Sequence, residues 1–306
     1  MTITAEQVKE RKAYIGGSDV AGMLGLSRWT TPLQIWAIKT QAIEPPDQPT
    51  LQKTLGIMLE EVVAELFTQK TGKVVHRVNE TKFHKQYPFL GANIDRRVVG
   101  EDAILEVKTA SAWKAKEWSD EEIPKEYILQ VVHYLAVTGA SRGYLAVLIG
   151  NQDFQIKIIE RDDKMIADLI RKEVDFWQSY VVPKVMPGLG MITSKDAETL
   201  YSLYPIADPG SVVALDDKAN QLVEFRNSTI QALKLLEGDI DRTENELKAM
   251  MGDKEIGQTE QWTVTWKNQS TRRLDTGLLK VEKPDLYESY LHETKSRVLR
   301  IKGAKV

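Results

Sequence analysis

Two carboxylates and a lysine lie close together in the middle of the chain. Asn93-Ile94-Asp95 is followed, across the short turn Gly100-Glu101-Asp102, by Leu105-Glu106-Val107-Lys108. On a strand, side chains alternate with a period of two, so Glu106 and Lys108 share one face. An aspartate on the neighbouring strand can point to the same face. Hard oxygen donors in such a group suit Mg²⁺ or Mn²⁺ and not zinc. A metal held there lowers the pKa of a bound water and neutralises charge on a phosphate. The lysine can orient that water or help deprotonate it, and can stabilise the anion that forms. Asp followed by Glu-x-Lys is thus a phosphodiesterase pattern. The same residues with nothing else around them make an ordinary cross-strand salt bridge. The apolar pair Ile104-Leu105 sets the pattern at the end of a buried strand, where functional groups commonly gather.

The elements that must position these groups can be read from periodicity. A helix over 5–15 is broken at Gly16-Gly17. Ser18-Asp19 reads as the cap of a helix over 20–24, and Pro32 opens another. Apolar Ile57, Val62, Val63, Leu66 and Phe67 recur near every 3.6 residues, predicting a helix over 51–71 that Gly72 ends. Strands are expected at 73–78, 90–99, 103–109, 142–149 and 154–159, with helices over 125–138 and 162–181. The order α-β-β-β-α-β-β-α predicts an α/β domain with a mixed sheet between helices. Residues 186–215 are rich in Pro and Gly and read as a linker or arm. That divides the chain into a domain over 1–185 and an accessory module over 216–306. Leu222, Leu233, Leu236, Ile240, Leu247 and Met250 make a coiled-coil-like seam with gaps, equally readable as a helical hairpin or a docking helix. Trp262, Val264 and Trp266 alternate as on a half-buried strand.

Composition removes several classes. The chain has 306 residues, with Lys plus Arg 41 and Asp plus Glu 44, a net charge of −3. That excludes a histone-like binder but leaves room for a local basic groove. Cysteine is absent, which excludes disulfides, thiolate metal sites and a cysteine nucleophile. The polar start MTITAEQVKERKAY lacks the apolar stretch of a signal peptide, and no run is long enough to span a bilayer; the expectation is a cytoplasmic protein with no membrane association. The histidines at 76, 84, 133 and 292 show no ligand spacing, and Thr71-Gly72-Lys73 lacks the upstream glycine of a phosphate-binding loop. His133 and Tyr134 read as core residues. The tryptophans at 29, 36, 113 and 118 read first as packing groups. Trp113 and Trp118, flanking Lys114 and Lys116, are also placed to contact an unpaired strand.

Several ordered motifs resemble a known family. Tyr14-Ile15-Gly16-Gly17-Ser18-Asp19-Val20-Ala21, Leu24-Gly25-Leu26-Ser27 and Thr31-Pro32-Leu33-Gln34-Ile35-Trp36 are followed by Gly56-x-x-x-Glu60 and Asn93-x-Asp95. Leu105-Glu106-Val107-Lys108-Thr109 and Gln130-x-x-x-Tyr134 complete the series. Over about residues 10–182 the chain resembles the YqaJ-like viral recombinase nucleases, which are similar to phage lambda exonuclease and belong to the PD-(D/E)xK superfamily. The resemblance implies a restriction-endonuclease-like core. It implies Asp95 and Glu106 as metal-binding carboxylates with the Val107 carbonyl completing the shell, in a two-metal site for Mg²⁺ that Mn²⁺ can fill. It makes Lys108 the catalytic lysine, Gln130 a group near the attacked phosphate and Glu60 the helix acid. Many relatives have Pro where this chain has Glu61, so either glutamate can fill that role; the distance from Gly56 favours Glu60. Arg11 and Ser18 match the residues that hold a 5′-phosphate, and Asn93 matches a further phosphate contact.

The activity so implied is a Mg²⁺-dependent exonuclease of phage or prophage origin. It would resect double-stranded DNA from 5′-phosphorylated ends and leave 3′ overhangs for a single-strand annealing protein. Lambda-like relatives form ring-shaped trimers, so a homo-oligomer is expected. Two alternatives stand beside it: an endonuclease on the same fold, and a non-catalytic DNA-binding or assembly protein.

Overall fold

The structure is a computed structural model that describes residues 11–44, 50–118, 122–293 and 296–303. The expected helix over 5–15 lies largely outside the described residues. The chain divides into two units, the first ending at Pro205 and the second beginning at Ile206.

A five-stranded mixed sheet organises the first unit. Its strands are β2 (Val75–Arg77), β5 (Arg96–Val98), β6 (Ala103–Ala110), β7 (Arg142–Ile149) and β8 (Asp153–Glu160), in the order β2-β5-β6-β7-β8. Only β6 and β7 run parallel; the other neighbours are antiparallel. A parallel pair needs a crossover, and α4 (Lys125–Thr138) lies within it. The β5–β6 turn carries Gly100 at φ 78°, a left-handed conformation that favours glycine.

Helix α3 (Leu51–Thr71) has an N-cap, Thr50, whose side chain accepts from the Lys53 N–H, and it stops at Gly72, φ 72°. It buries Val63 and Phe67 against Val98, Leu105, Val107 and Tyr144. Fully burying such side chains contributes on the order of 1.5–3 kcal/mol each. Helix α4 covers the sheet from within the main core, with Val131, Val132, Leu135 and Ala136 meeting Ile104 and residues of the N-terminal helices. Helix α5 (Asp163–Phe176) is capped by the Asp162 carboxylate and runs into a π-turn over Trp177–Val181.

The expected strand 90–99 is two strands in two sheets. Leu90–Ala92 is β4, the centre of a small sheet with β1 (Ile15–Gly16) on one side and β3 (Lys82–Phe83) on the other. Arg96–Val98 is β5 of the main sheet. Asn93-Ile94-Asp95 leaves the ladder between them, so the polar residues of the motif sit where the backbone changes sheets. The short helix expected at 20–24 begins earlier, as α1 (Gly17–Met23). Its N-cap is Gly16, and the Asp19 carboxylate accepts from the Gly16 N–H at 2.8 Å. Ser18 is therefore inside the first turn and is not the cap. Helix α2 (Pro32–Lys39) follows the side-chain cap of Thr31.

Part of the stretch expected as a linker or arm, 186–215, packs on the first unit. Met186, Ile192, Leu200 and Leu203 pack against the main core. Asp196, at 0% exposure, accepts from the Thr31 hydroxyl at the start of α6 (Ala197–Leu203). The second unit holds α7 (Asp217–Met251), the hairpin β9 (Ile256–Gln258) and β10 (Thr263–Thr265), and the short helices α8 (Thr276–Glu282) and α9 (Pro284–Ser289). The seam of 222–250 lies on one continuous helix, with Gly238 inside it, and no residue of that helix is buried. Gly238 costs about 1 kcal/mol there relative to Ala, too little to break 35 residues of helix.

Candidate active site

The register of the β5–β6 hairpin pairs Arg96 with Leu105. One step further out, Asp95 faces Glu106. Asp95 Oδ2 accepts from the Val107 N–H at 2.8 Å, an edge contact made possible because Asp95 has just left the ladder. Glu106 Oε1 accepts from Lys108 Nζ at 2.5 Å and from Gln130 Nε2 at 2.7 Å. Gln130 comes from α4, and its amide nitrogen also lies 3.0 Å from the Tyr134 hydroxyl. The other oxygen of Glu106, Oε2, is buried and is met by no donor, while the Asp95 carboxyl lies within hydrogen-bonding reach of the Glu106 side chain.

This carboxylate is costly to charge. Burial, reinforced by the Asp95 charge, pushes Glu106 up to about 8, and Lys108 only partly opposes this. Burial also raises Asp95, against the pull of Lys108 and the Val107 N–H. For Lys108 burial acts downward, but the charges of Glu106 and Asp95 outweigh it and hold the ammonium above its ordinary value. Two carboxyl groups facing each other in a dry place are held together either by a shared proton or by a cation between them. Mg²⁺ is often bound through one or two carboxylates together with waters and substrate phosphates, so Asp95 and Glu106 fit it. Among the described residues no cluster of three or more Asp, Glu or His stands ready as a cage.

The helix acid is placed differently. Glu60 on α3 accepts from Arg96 Nη1 at 2.5 Å and Arg77 Nη2 at 3.2 Å. Glu61 accepts from Arg96 Nη2 at 2.8 Å and Arg77 Nη2 at 3.1 Å. The charge of Glu60 reaches Asp95 and helps raise its pKa. Glu61 is the more exposed of the two.

Arg96 was not singled out by sequence reasoning. It is 2% exposed. Besides both glutamates it donates to the backbone carbonyl of Asp95 at 2.7 Å. The one available signal was an Arg pair directly after Asp95, in a strand whose inward positions should be apolar.

The remaining expected residues fall around this centre. Asn93 is braced within the protein: its Oδ1 accepts from the Thr81 hydroxyl and its Nδ2 donates to the Tyr14 hydroxyl, both at 2.7 Å. Ser18 is exposed on α1, and Arg11 is exposed with its carbonyl accepting from Lys39 Nζ at 2.6 Å. The Arg11 charge is felt at Tyr134, which burial and then the charges of Glu106 and Asp95 raise far above its usual range. Gly17 lets α1 approach α4: a Cβ there would stand 2.6 Å from the Tyr134 ring and 3.0 Å from Gln130 Cγ. His133 is a core residue, bonded to the Glu173 carboxylate at 2.7 Å and the Gly91 carbonyl at 3.0 Å. Trp118 is 1% exposed and so cannot stack on a base; Trp113 remains open.

Comparison with known proteins agrees with this architecture. Residues 7–141 match the YqaJ-like viral recombinase domain. The chain is 37% identical over 299 residues to the uncharacterized protein YqaJ of Bacillus subtilis strain 168, covering 97% of this chain and 93% of that one. The fold resembles the alkaline exonuclease LHK-Exo of Laribacter hongkongensis, with a TM-score of 0.52 at 19% identity, over 60% of this chain and 94% of that one. A structure of LHK-Exo in complex with dAMP superposes with a TM-score of 0.51 at 20% identity, with the same coverage. Among the described residues no helix is long and apolar enough to cross a membrane. With 37% identity along nearly its whole length to YqaJ and the domain match across its N-terminal half, the chain belongs to the YqaJ-like viral recombinase family.

Proposed function

We propose that this protein is a Mg²⁺-dependent DNA exonuclease that resects double-stranded DNA from 5′-phosphorylated ends in the 5′ to 3′ direction. The observation that carries the reading is the convergence of Lys108 and Gln130 on one oxygen of the buried Glu106 carboxylate, with Asp95 facing it and the second Glu106 oxygen met by no donor. Asp95, Glu106 and the Val107 carbonyl would hold the metal, with Mn²⁺ able to replace Mg²⁺. A bound divalent cation supplies a polarised water and neutralises charge on the scissile phosphate. Lys108, protonated beside Glu106, donates a hydrogen bond to a phosphate oxygen as charge builds on it. Gln130 fixes the Glu106 carboxylate and keeps its amide facing the same oxygen. Glu60, steadied by Arg96 and Arg77, adds negative charge close to Asp95 and would serve a second metal; its electrostatic reach to Asp95 favours it over Glu61.

Arg11 and Ser18 would receive the terminal 5′-phosphate. The reach of the Arg11 charge to Tyr134, itself bonded to Gln130, supports that placement. A guanidinium grips a phosphate through two parallel hydrogen bonds, and each cut regenerates a 5′-phosphate for the same pocket. Asn93 would have to exchange its bond to Thr81 or Tyr14 to meet a phosphate. The first unit would carry the chemistry. The second, with its exposed apolar helix, would serve assembly into a homo-oligomer or the docking of a single-strand annealing protein. The names of the structural neighbours, an exonuclease and its complex with dAMP, accord with the reading.

The test is digestion of three substrates with Mg²⁺: a 5′-phosphorylated linear duplex, its 5′-hydroxyl form and a closed circle. Fast loss of the first, slow loss of the second and survival of the circle are expected. Efficient cutting of the circle with no preference for 5′-phosphate would replace the exonuclease by an endonuclease.

A further inference from the structure

Lys108 is half-buried, and its ammonium stands 5.4 Å from the centroid of the Tyr127 ring. Tyr127 is the middle of an aromatic cluster. On one side it stacks on Trp118 at 5.1 Å and 21°, and Trp118 is buried and anchors the cluster. On the other side lies Trp29, its ring centroid 6.2 Å away. Trp29 is 55% exposed, and Trp113, on the segment that follows β6, is 96% exposed. Trp29 is tied to the strand-end site through Tyr127, and Trp113 precedes Lys114, whose ammonium lies against the Trp29 ring; an open indole offers a large apolar face with a polar edge.

The charges nearby are sorted. Arg28 lies 5.2 Å over the Trp29 ring and is held by Glu117 at 2.6 Å and Glu126 at 2.7 Å, so these two carboxylates are already neutralised. Lys114 lies 5.6 Å from the same ring, and among the described residues it is paired with no carboxylate. An open aromatic face with an ammonium at its edge matches a base with its phosphate. Bases inside a duplex have their faces covered by neighbours, whereas unpaired bases do not.

We propose that Trp29 and Trp113, with Lys114, form a stacking ledge for unpaired DNA bases beside the scissile phosphate. The inference rests on the reading of Lys108 as a group that touches that phosphate. Tyr127 is the spacer that sets Trp29 one ring away from Lys108, so unpaired bases at the cutting point have a surface to rest on. Stacking tolerates any base, as an enzyme working through arbitrary sequence requires.

The test uses the full chain in a chelating buffer, so that nothing is cut. Binding of a fluorescein-labelled oligodeoxythymidine strand and of a blunt duplex of equal length is followed by anisotropy for the wild type, Trp29→Ala, Trp113→Ala and Trp29→Phe. Each alanine variant should lose about five- to a hundredfold in affinity for the strand, the range that stacking of one base supports, with less than about twofold change on the duplex. Trp29→Phe should keep most of the strand binding, and its thermal melting should match the wild type. Unchanged strand binding in both alanine variants, or equal losses on strand and duplex, would overturn the ledge. Digestion of linear duplex by the wild type with Mg²⁺ is measured alongside. Failure there defeats the nuclease reading, whereas normal digestion with indifferent tryptophan variants defeats the ledge alone.

Discussion

Arg96→Met removes the clamp on α3 while keeping an unbranched apolar stem in its place. The lost bonds are unequal. A hydrogen bond to a charged partner contributes about 1.5–3 kcal/mol, and the one to Glu60, whose side chain is 25% exposed, falls at the lower end of that range. Glu61 is 74% exposed, and solvent reduces its share to about 0–1 kcal/mol. The bond to the Asp95 carbonyl adds about 1 kcal/mol. The gain that comes from replacing a whole buried ion pair by apolar groups is not available here, because Glu60 and Glu61 remain with Arg77 as their one partner among the described residues. The net loss should be about 2.5–3.5 kcal/mol, or roughly 5–14 °C in melting temperature for a unit of this size. Cleavage should fall further than stability accounts for, by about tenfold or more in kcat, because Glu60 and the Asp95 backbone are no longer held. Arg96→Lys restores charge but not the two-pronged geometry, and should fall between. The assay pairs circular-dichroism melting with single-turnover cleavage of a linear duplex at saturating Mg²⁺. Wild-type turnover in Arg96→Met, at a temperature where it is fully folded, would refute the positioning argument.

Other consequences are open to measurement. Gly17→Ala gains about 1 kcal/mol of helix propensity but places a methyl 2.6 Å from the Tyr134 ring. Overpacking costs about 1–3 kcal/mol, so the variant should melt lower and cut more slowly as Gln130 is displaced; a higher melting point with full activity would show the contact yields easily. Burial works against a charged His133, but the Glu173 carboxylate and the Gly91 carbonyl outweigh it, and its pKa is raised. The stabilisation is then complete below the unfolded value near 6.5 and is lost as pH rises through the folded one. Asp19 and His84 also lie within electrostatic reach of the pair, so the comparison is with Glu173→Gln, whose stability should depend less on pH across that window; parallel pH profiles would disprove the linkage. A fragment ending at Pro205 should fold and cut DNA, whereas one ending near 185 should be unstable because it lacks Asp196 and Leu200. Equal melting of the two fragments would count against this.

The sequence was most legible where one kind of signal dominated. Helix 51–71 has a side-chain cap and an apolar stripe, helix 125–138 opens after Pro124 and is buried along 129–137, and both end at the glycine expected to stop them. Asp95, Glu106 and Lys108 were legible because strand alternation alone brings Glu106 and Lys108 to one face. The break at Asn93–Asp95 was not, since apolar Leu90, Ala92, Ile94 and Val98 alternate straight through it; tertiary pairing with β1 and β3 decides where the strand changes sheets. Arg96 escaped because its partners lie on a helix more than thirty residues away, and no local pattern announces such a pairing. Asp196 and Leu200 sit in a Pro/Gly-rich stretch whose composition reads as linker, while their packing depends on Thr31 and the core beneath.

The central claim is that the buried Glu106 carboxylate and Lys108 act together, with a divalent cation, to cut phosphodiester bonds. The most direct measurement titrates Mg²⁺ against single-turnover cleavage of a 5′-phosphorylated linear duplex by the wild type, Glu106→Gln and Lys108→Ala, each first shown to be folded. The account predicts saturable Mg²⁺ dependence in the wild type and a rate lower by about 10²–10⁴ in each variant. Cleavage that survives chelation, or near wild-type rates in Lys108→Ala, would contradict it.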